Sequence, residues 1–392
     1  MTPAARVQAA IEILDLVIDA ARHQGAPADR IVSDWFRTRR FAGSKDRRAV
    51  RELVYRAIRA CGDVPESGRA AILRLAQDDP ALLPLFDGSP YAPEPIAPGE
   101  PVASGGVAPE WLEARLVQSG IAGEEASALL DRAPLDVRIN ALKAGAASLP
   151  EGGEKVGAAG ALRYPFGTRI EDSEAYKAGT IEVQDLGSQR ACQALGACQG
   201  DTLIDLCAGA GGKSLALAAL VGEHGKVIAC DTDRSRLSRL GPRAVRAGAD
   251  GIIETRLLDP DREVEALADW QDKADAVLVD APCSGTGTWR RNPEARWRLS
   301  EKWLRQVTLL QSRLLDVAAG LVKPGGALVY VVCSLLDEEG ADQAGAFLAR
   351  HDGWNADALS LGAGTPREQG LRLSPFRDGT DGFFIARLVR LC

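Results

Sequence analysis

The chain has only three histidines and one methionine in 392 residues, and aromatic side chains make up 5% of it. His23, His224 and His351 are far apart, so a histidine-based metal site is not expected. The eight cysteines include no C-x-x-C pair, which argues against both a zinc knuckle and a disulfide framework. No apolar run approaches the roughly 20 residues that cross a bilayer. Charge interrupts the segment Met1–Val7 and no small-residue cleavage site follows it, so a secretory leader is not expected and a cytoplasmic location is. Internal repeats and low-complexity tracts are also missing. What remains is an ordinary soluble composition, 46% hydrophobic and 26% charged, at a length that calls for two or three domains.

Lys and Arg number 47 against 54 Asp and Glu, a net charge of −7. That balance does not exclude a nucleic-acid partner, because binding follows the local field. From Arg37 to Arg51 there are seven cations and one acid, Asp46. Arg37, Arg39, Arg40, Lys45, Arg47 and Arg48 are candidate phosphate contacts, with a solvated helix face as the equally weighted plain reading. A second cluster, Trp289–Arg298, interleaves cations with indoles just after a cysteine motif, and that adjacency favours substrate contact.

Residues 3 to 60 read as helices. Val7, Ile11, Leu14 and Ile18 form a helical stripe, with Thr2 as N-cap and Pro3 at the first helical position. Val50, Leu53, Val54, Ala57 and Ile58 form another, and Arg69–Leu75 a third. Residues 1–90 are therefore expected to be a helical domain. Proline-rich residues 91–108 form a linker or extended connection, and 109–183 a small α+β subdomain. Residues 184–392 alternate strand and helix. The strands expected are 202–206, 226–230, 274–280, 327–332 and 382–388, with helices at 213–221, 234–247 and 301–321. This rhythm predicts an α/β, Rossmann-like, doubly wound and largely parallel sheet with its ligands at the strands' carboxyl ends.

At the first strand-to-helix junction lies Asp205-Leu206-Cys207-Ala208-Gly209-Ala210-Gly211-Gly212-Lys213. Its glycines allow a ligand close to the backbone, but the spacing is neither G-x-G-x-x-G nor a Walker lysine pattern. Asp231 ends the second strand, where a carboxylate grips ribose hydroxyls, and Asp259 ends the third, where one can hold an adenine amino group. Dinucleotide and S-adenosylmethionine both suit such a set, and the methyl donor is favoured.

Two further turns carry thiols: Asp280-Ala281-Pro282-Cys283-Ser284-Gly285-Thr286-Gly287 and Tyr330-Val331-Val332-Cys333-Ser334. Thiolate is the strongest ordinary side-chain nucleophile at neutral pH. A pyrimidine's carbon 5 is a poor nucleophile until a thiolate adds at carbon 6. A second group must then help remove the carbon-5 proton, and an acid such as Asp280 can bond the ring's nitrogen edge. The Asn/Asp-Pro-Pro-aromatic motif of amine methyltransferases is absent. Thr286 stands where a zinc deaminase needs its second cysteine. Ser334-Leu335-Leu336-Asp337 reads as a capping box opening a helix, which would lower the Cys333 pKa. Core packing is the plain reading for Cys207 and Cys230, and for Cys192 and Cys198 on one helical stretch. The plain reading for Lys213 is a cap or a salt bridge on the first helix.

These motifs resemble the RNA cytosine-5 methyltransferases of the RsmB/Nop/Sun type over nearly the whole sequence. Asp205–Lys213, Asp280–Gly287 and Cys333-Ser334 match the family's first, fourth and sixth motifs. Arg138–Lys143 and Gln184–Gln189 are similar to its pre-catalytic signatures. Residues 41–48 resemble its NusB-type RNA-binding domain. The resemblance implies S-adenosylmethionine as cofactor, bound by Cys207, Ala208, Gly209, Ala210, Gly211, Gly212, Lys213, Asp231, Asp259 and Asp280. It also implies Cys333 as nucleophile, Cys283 assisting release, and Asp280 and Lys213 in the catalytic set. Ala210 replaces the family's usual proline and Val332 its usual threonine. The partner expected is RNA, ribosomal before transfer RNA, bound by a monomer that needs no metal. A non-catalytic assembly factor is the alternative from another class.

Overall fold

A computed structural model describes residues 1–39, 41–157 and 159–392, so the candidate Arg40 lies outside the described residues. The chain divides into two compact units: Met1–Arg132 with Thr288–Glu301, and Ala133–Gly287 with Lys302–Cys392.

The first unit is helical: α1 (Pro3–Arg22), α2 (Ala28–Thr38), α3 (Ser44–Ala60), α4 (Gly68–Asp78), α5 (Glu110–Gln118) and α6 (Gly123–Ser127). The expected stripe Val7, Ile11, Leu14 and Ile18 is buried, each side chain contributing about 1.5–3 kcal/mol. Thr2 caps α1 by accepting from the Ala5 amide at 3.1 Å, and Pro3 opens the helix. In α3 the buried face is Val50, Val54, Ala57 and Ile58. The proline-rich stretch is laid on these helices: the Ala103 amide donates to Ala70 O and the Gly62 amide to Ser104 O, and Arg69 pairs with Glu100.

Residues Thr288–Glu301 correct the expectation of a substrate-facing cluster. Trp289, Arg290, Arg296 and Trp297 are buried, and Trp297 joins the helical core. Arg296 donates to Ile58 O and Cys61 O, each at 2.7 Å, where α3 ends. Arg298 donates to Ala20 O, Gly25 O and Ala26 O, where α1 ends. Glu294 accepts from the Ala28 amide at 3.0 Å, where α2 begins. Cations thus meet carbonyl ends and an anion meets an amide end, the signs that helix termini favour. Burial pulls the Arg296 pKa down to about 9.

The second unit holds two sheets. The smaller contains β1 (Leu135–Ile139), β2 (Glu154–Lys155), β3 (Ala161–Tyr164) and β4 (Ile181–Val183), in the order β2-β3-β1-β4 and antiparallel throughout, with α7 (Glu174–Lys177) before β4. The larger is built from β5 (Thr202–Asp205), β6 (Lys226–Asp231), β7 (Ile253–Leu257), β8 (Ala274–Asp280), β9 (Val322–Val332), β10 (Trp354–Asp357), β11 (Thr365–Arg367), β12 (Gly370–Leu373) and β13 (Phe383–Arg390). Its order is β11-β12-β13-β9-β8-β5-β6-β7, with β10 also on β13. The run β9-β8-β5-β6-β7 is parallel, and β13 returns antiparallel. This is the expected Rossmann-like α/β sheet.

Its helices are α8 (Leu186–Gln193), α9 (Gly212–Val221), α10 (Arg234–Leu237), α11 (Leu240–Ala247), α12 (Glu263–Ala266), α13 (Glu301–Leu321), α14 (Ala341–Arg350) and α15 (Pro375–Asp378). The single helix expected over 234–247 is broken in two, and Pro242 sits in the first turn of α11, the place where a residue without an amide proton is tolerated. Cys192 is buried in α8, but Cys198 is exposed and beyond that helix. No described helix is long and apolar enough to cross a membrane.

Replacing Arg296 tests the helix-capping role. Arg296→Met leaves the Ile58 and Cys61 carbonyls without their donor, and a loss of about 2–4 kcal/mol is expected in urea unfolding. Unchanged stability would return the cluster to a surface role.

Candidate functional site

The order β9-β8-β5-β6 puts the motif turns side by side. Asp205 pairs in register with Leu278, and Asp280 with Val331, so the chain leaves β5, β8 and β9 at neighbouring carboxyl ends.

The turn after β5 is shaped by glycine. Gly209 and Gly211 have φ of +56° and +83°, a region that disfavours other residues. A Cβ on Gly211 would stand 2.1 Å from Leu240 Cδ1, whereas one on Gly212 would meet open space. Asp231 accepts from the Gly209 amide and the Asp233 amide, both at 2.7 Å. Arg243 donates to Ala210 O at 2.7 Å, a restraint on the turn at the position where the family's proline would supply one. Cys207 is half-buried beside this turn, and burial, then the charges of Asp205, Asp280 and Asp231, push its thiol up.

Lys213, at the start of α9, forms an ion pair with Asp280 at 2.7 Å. Burial alone would lower the Lys213 pKa, but the Asp280 carboxylate outweighs it and the ammonium is held charged. The lysine thus bridges to the end of β8 rather than to its own helix. Asp259 stands apart: it is exposed two residues beyond β7, and among the described residues no hydrogen bond joins its side chain to the others.

The two thiols meet. Cys283 Sγ and Cys333 Sγ are 3.3 Å apart, both half-buried. The hydrogen bond to Cys333, then burial, raise the Cys283 pKa well above the usual thiol range. The turns that carry them are stitched together: the Gly287 amide donates to Cys333 O at 3.0 Å, and the Leu335 amide to Thr286 Oγ1 at 2.8 Å.

No helix opens at Ser334, contrary to the capping-box expectation. Its hydroxyl accepts from the Leu336 amide at 3.2 Å, a local turn, while α14 begins at Ala341. A helix dipole is therefore not the influence on Cys333. Val332 is fully buried in the apolar layer with Val279, Tyr330 and Phe384, so its methyl groups fill core space.

The pre-catalytic signatures brace the small sheet against α8, α9 and α11. Arg138 Nε donates to Gln184 Oε1 at 2.8 Å, and Gln184 Nε2 to Gly212 O. Asn140 donates to Gly179 O and Ala247 O. Asp185 caps α8 through the Gly187 and Ser188 amides.

Nothing in the sequence marks Asp205, beyond its motif, or Glu339 for burial, since an acid beside an apolar strand does not announce it. Asp205 is fully buried. Its Oδ2 accepts from Ser214 Oγ at 2.6 Å, and its Oδ1 has no partner. A cramped glycine turn, open space beside Gly212 and an unpartnered buried acceptor suit a polar nucleoside cofactor. Among the described residues, no group of three or more His, Cys, Asp or Glu is placed to hold a metal ion.

Asp205 supplies a pH test. Burial raises its pKa to about 7, against roughly 3.9 in an unfolded chain. Stability from this group is full below the lower value and is lost as pH rises through the upper. Asp205→Asn, which keeps an acceptor for Ser214, should raise Tm more at pH 8 than at pH 5, by about 2–4 °C for each kcal/mol regained. An equal change at both pH values would show that Asp205 does not titrate in this window.

Comparison with known proteins matches the geometry. The family model of 16S rRNA methyltransferase RsmB/F covers residues 192–389, half of the chain. Ribosomal RNA small subunit methyltransferase B of Erwinia tasmaniensis is 32% identical over 72% of this chain and 66% of its own length. Its Citrobacter koseri counterpart is 34% identical over 58% and 52%. The chain thus spans about half to just under two thirds of these relatives. Among solved structures, PH0851 has a TM-score of 0.74 at 26% identity, covering 99% of both chains. NSun6 from Pyrococcus horikoshii with SFG gives 0.51 at 27%, covering 57% of this chain and 56% of that one. With a thiol pair at adjacent strand ends and a matching family model over half its length, the chain belongs to the RsmB/F family of 16S rRNA methyltransferases.

Proposed function

We propose that this chain methylates carbon 5 of a cytosine in small-subunit ribosomal RNA through a covalent cysteine–cytosine adduct, as a cytoplasmic monomer. The observation that carries the reading is the 3.3 Å thiol pair beside the Lys213–Asp280 ion pair. The names of the ribosomal RNA small subunit relatives support the substrate. The Pyrococcus NSun6 structure, which holds an analogue of S-adenosylmethionine, supports the cofactor.

Cys207 to Lys213, Asp231, Asp259 and Asp280 would hold S-adenosylmethionine, which supplies an electrophilic methyl group. The chain's own residues prepare the base. Cys333 thiolate adds to carbon 6, forming a C–S bond and moving the ring's electron pair onto carbon 5. Asp280, fixed by Lys213, hydrogen-bonds the base's nitrogen edge and favours addition. After carbon 5 is methylated, its proton must leave as the C–S bond breaks and the electron pair restores the ring. Cys283 is suited to that second task. Its proton is held first by the hydrogen bond to Cys333. Once Cys333 is a thioether, its negative charge is gone and its sulfur is a weaker acceptor, so Cys283 can lose its proton to solvent and, as thiolate, take the carbon-5 proton.

The order of events separates the thiols. Cys333→Ala should abolish methyl transfer and adduct together, while Cys283→Ala should attack, methylate and stall as a denaturant-resistant protein–RNA band. The band should disappear in the double variant. A band that survives loss of Cys333 and requires Cys283 would exchange the two roles. A deletion strain whose ribosomal RNA keeps every 5-methylcytosine in bisulfite sequencing would favour an assembly factor.

In the helical unit, Arg37, Lys45 and Arg48 are exposed, Arg37 within a surface ion pair to Asp34 at 3.3 Å. Arg39 stacks on Trp35 at 4.0 Å and pairs with Glu12, and Arg47 donates to Ala42 O. We assign phosphate contact chiefly to the first three. Neutralising each should lower the magnitude of the log-affinity versus log-salt slope by about 0.7 for single-stranded RNA. An unchanged slope would leave the cluster a solvated face.

A further inference from the structure

One buried carboxylate ties together the two turns that carry the thiols. Glu339 lies six residues beyond Cys333 and is fully buried. Its Oε1 accepts from the Ser284 amide at 2.7 Å and from Gln311 Nε2 at 3.2 Å. Its Oε2 accepts from Ser334 Oγ at 2.5 Å and from Ser284 Oγ. Ser284 follows Cys283 and Ser334 follows Cys333, so the two serines, their Oγ atoms 3.1 Å apart, are the neighbours of both thiols. Gln311, on α13, also donates to Pro282 O at 2.8 Å, on the other side of Cys283. Thr286 Oγ lies 3.1 Å from Ser334 Oγ and completes the seam.

Four groups able to donate converge on Glu339 and favour its ionised carboxylate, although burial outweighs them and raises its pKa. Burying a charge is costly unless its lone pairs are all engaged. An apolar residue here would avoid that cost and strand two serine hydroxyls. What the carboxylate supplies in return is geometry: a planar acceptor with two oxygens can bind both turns at once only when they are in one register. A misplacement of about 1 Å at reacting groups can cost roughly a hundredfold in rate.

We propose that Glu339 is a positioning residue for the thiol pair, its carboxylate locking Ser284 and Ser334 so that Cys283 and Cys333 sit 3.3 Å apart. The catalytic consequence rests on the two-thiol reading above, but the geometric claim has a test that needs no methyl transfer.

The ruler is disulfide closure in the full chain. Diamide takes up the two electrons and two protons released as the Cys283–Cys333 S–S bond forms, and peptide mapping reports the bond. In Glu339→Gln, with Tm showing a folded protein, closure should be at least tenfold slower, while alkylation of each thiol by iodoacetamide stays within twofold of the parent. The same variant should lose tenfold or more in kcat with KM for RNA within twofold. Closure at the parent rate overturns the proposal, and so does slowing matched by equally slowed alkylation, which would be reactivity rather than distance. If Glu339→Gln does not fold, Ser284→Ala decides: it keeps the carboxylate and removes one hydroxyl donor. Closure slowed severalfold supports the proposal and unchanged closure overturns it. A parent chain that methylates nothing, with closure still dependent on Glu339, would sink the catalytic reading and leave the positioning role standing.

Discussion

The parallel pairing of β8 between β5 and β9 is the constraint on which the site depends. Backbone hydrogen bonds place Asp205 beside Leu278 and Asp280 beside Val331. Three turns from positions about 75 and 50 residues apart in the chain then begin at one level of the sheet. Parallel strands leave all their carboxyl ends on the same edge, where side chains can converge without crossing the core. The Lys213–Asp280 pair and the thiol pair are both consequences of that edge.

Charge that is buried or partly buried does different work in the two units. In the helical unit, Glu294, Arg296 and Arg298 neutralise the ends of α2, α3 and α1, so a run that looks like an RNA-binding stripe is part of the framework. In the second unit, Glu339 and Asp205 are buried acids beside reactive turns. The first has four donors, and the second keeps one oxygen without a partner. A fully satisfied acid fixes structure. An incompletely satisfied one is a place where a ligand can supply the missing donor.

Much of the fold was legible because local signals agreed with the global arrangement. The α1 stripe, the Thr2 cap, the strand ending at Asp280 and the helix 301–321 are encoded within a few residues of themselves. Misreadings occurred where a local signal had two physical meanings. Ser334 carries a hydroxyl suited to capping a helix, but tertiary partners Glu339 and Thr286 claim it. The pattern over 234–247 does not show the break at residues 238–239, because Pro242 falls in the first turn of α11, where a missing amide proton costs no hydrogen bond.

By itself, the sequence determined the residue types, the order of the motifs and the periodicity of most elements, since these depend on neighbours along the chain. The approach of two thiols to 3.3 Å, the pairing of Lys213 with Asp280 and the use of Trp289–Arg298 inside the helical unit were decided by tertiary structure alone. Each joins residues 50 or more positions apart, or turns on whether a charged side chain faces water or a helix end. Cations and acids carry the same letter in either environment, and only packing selects between them.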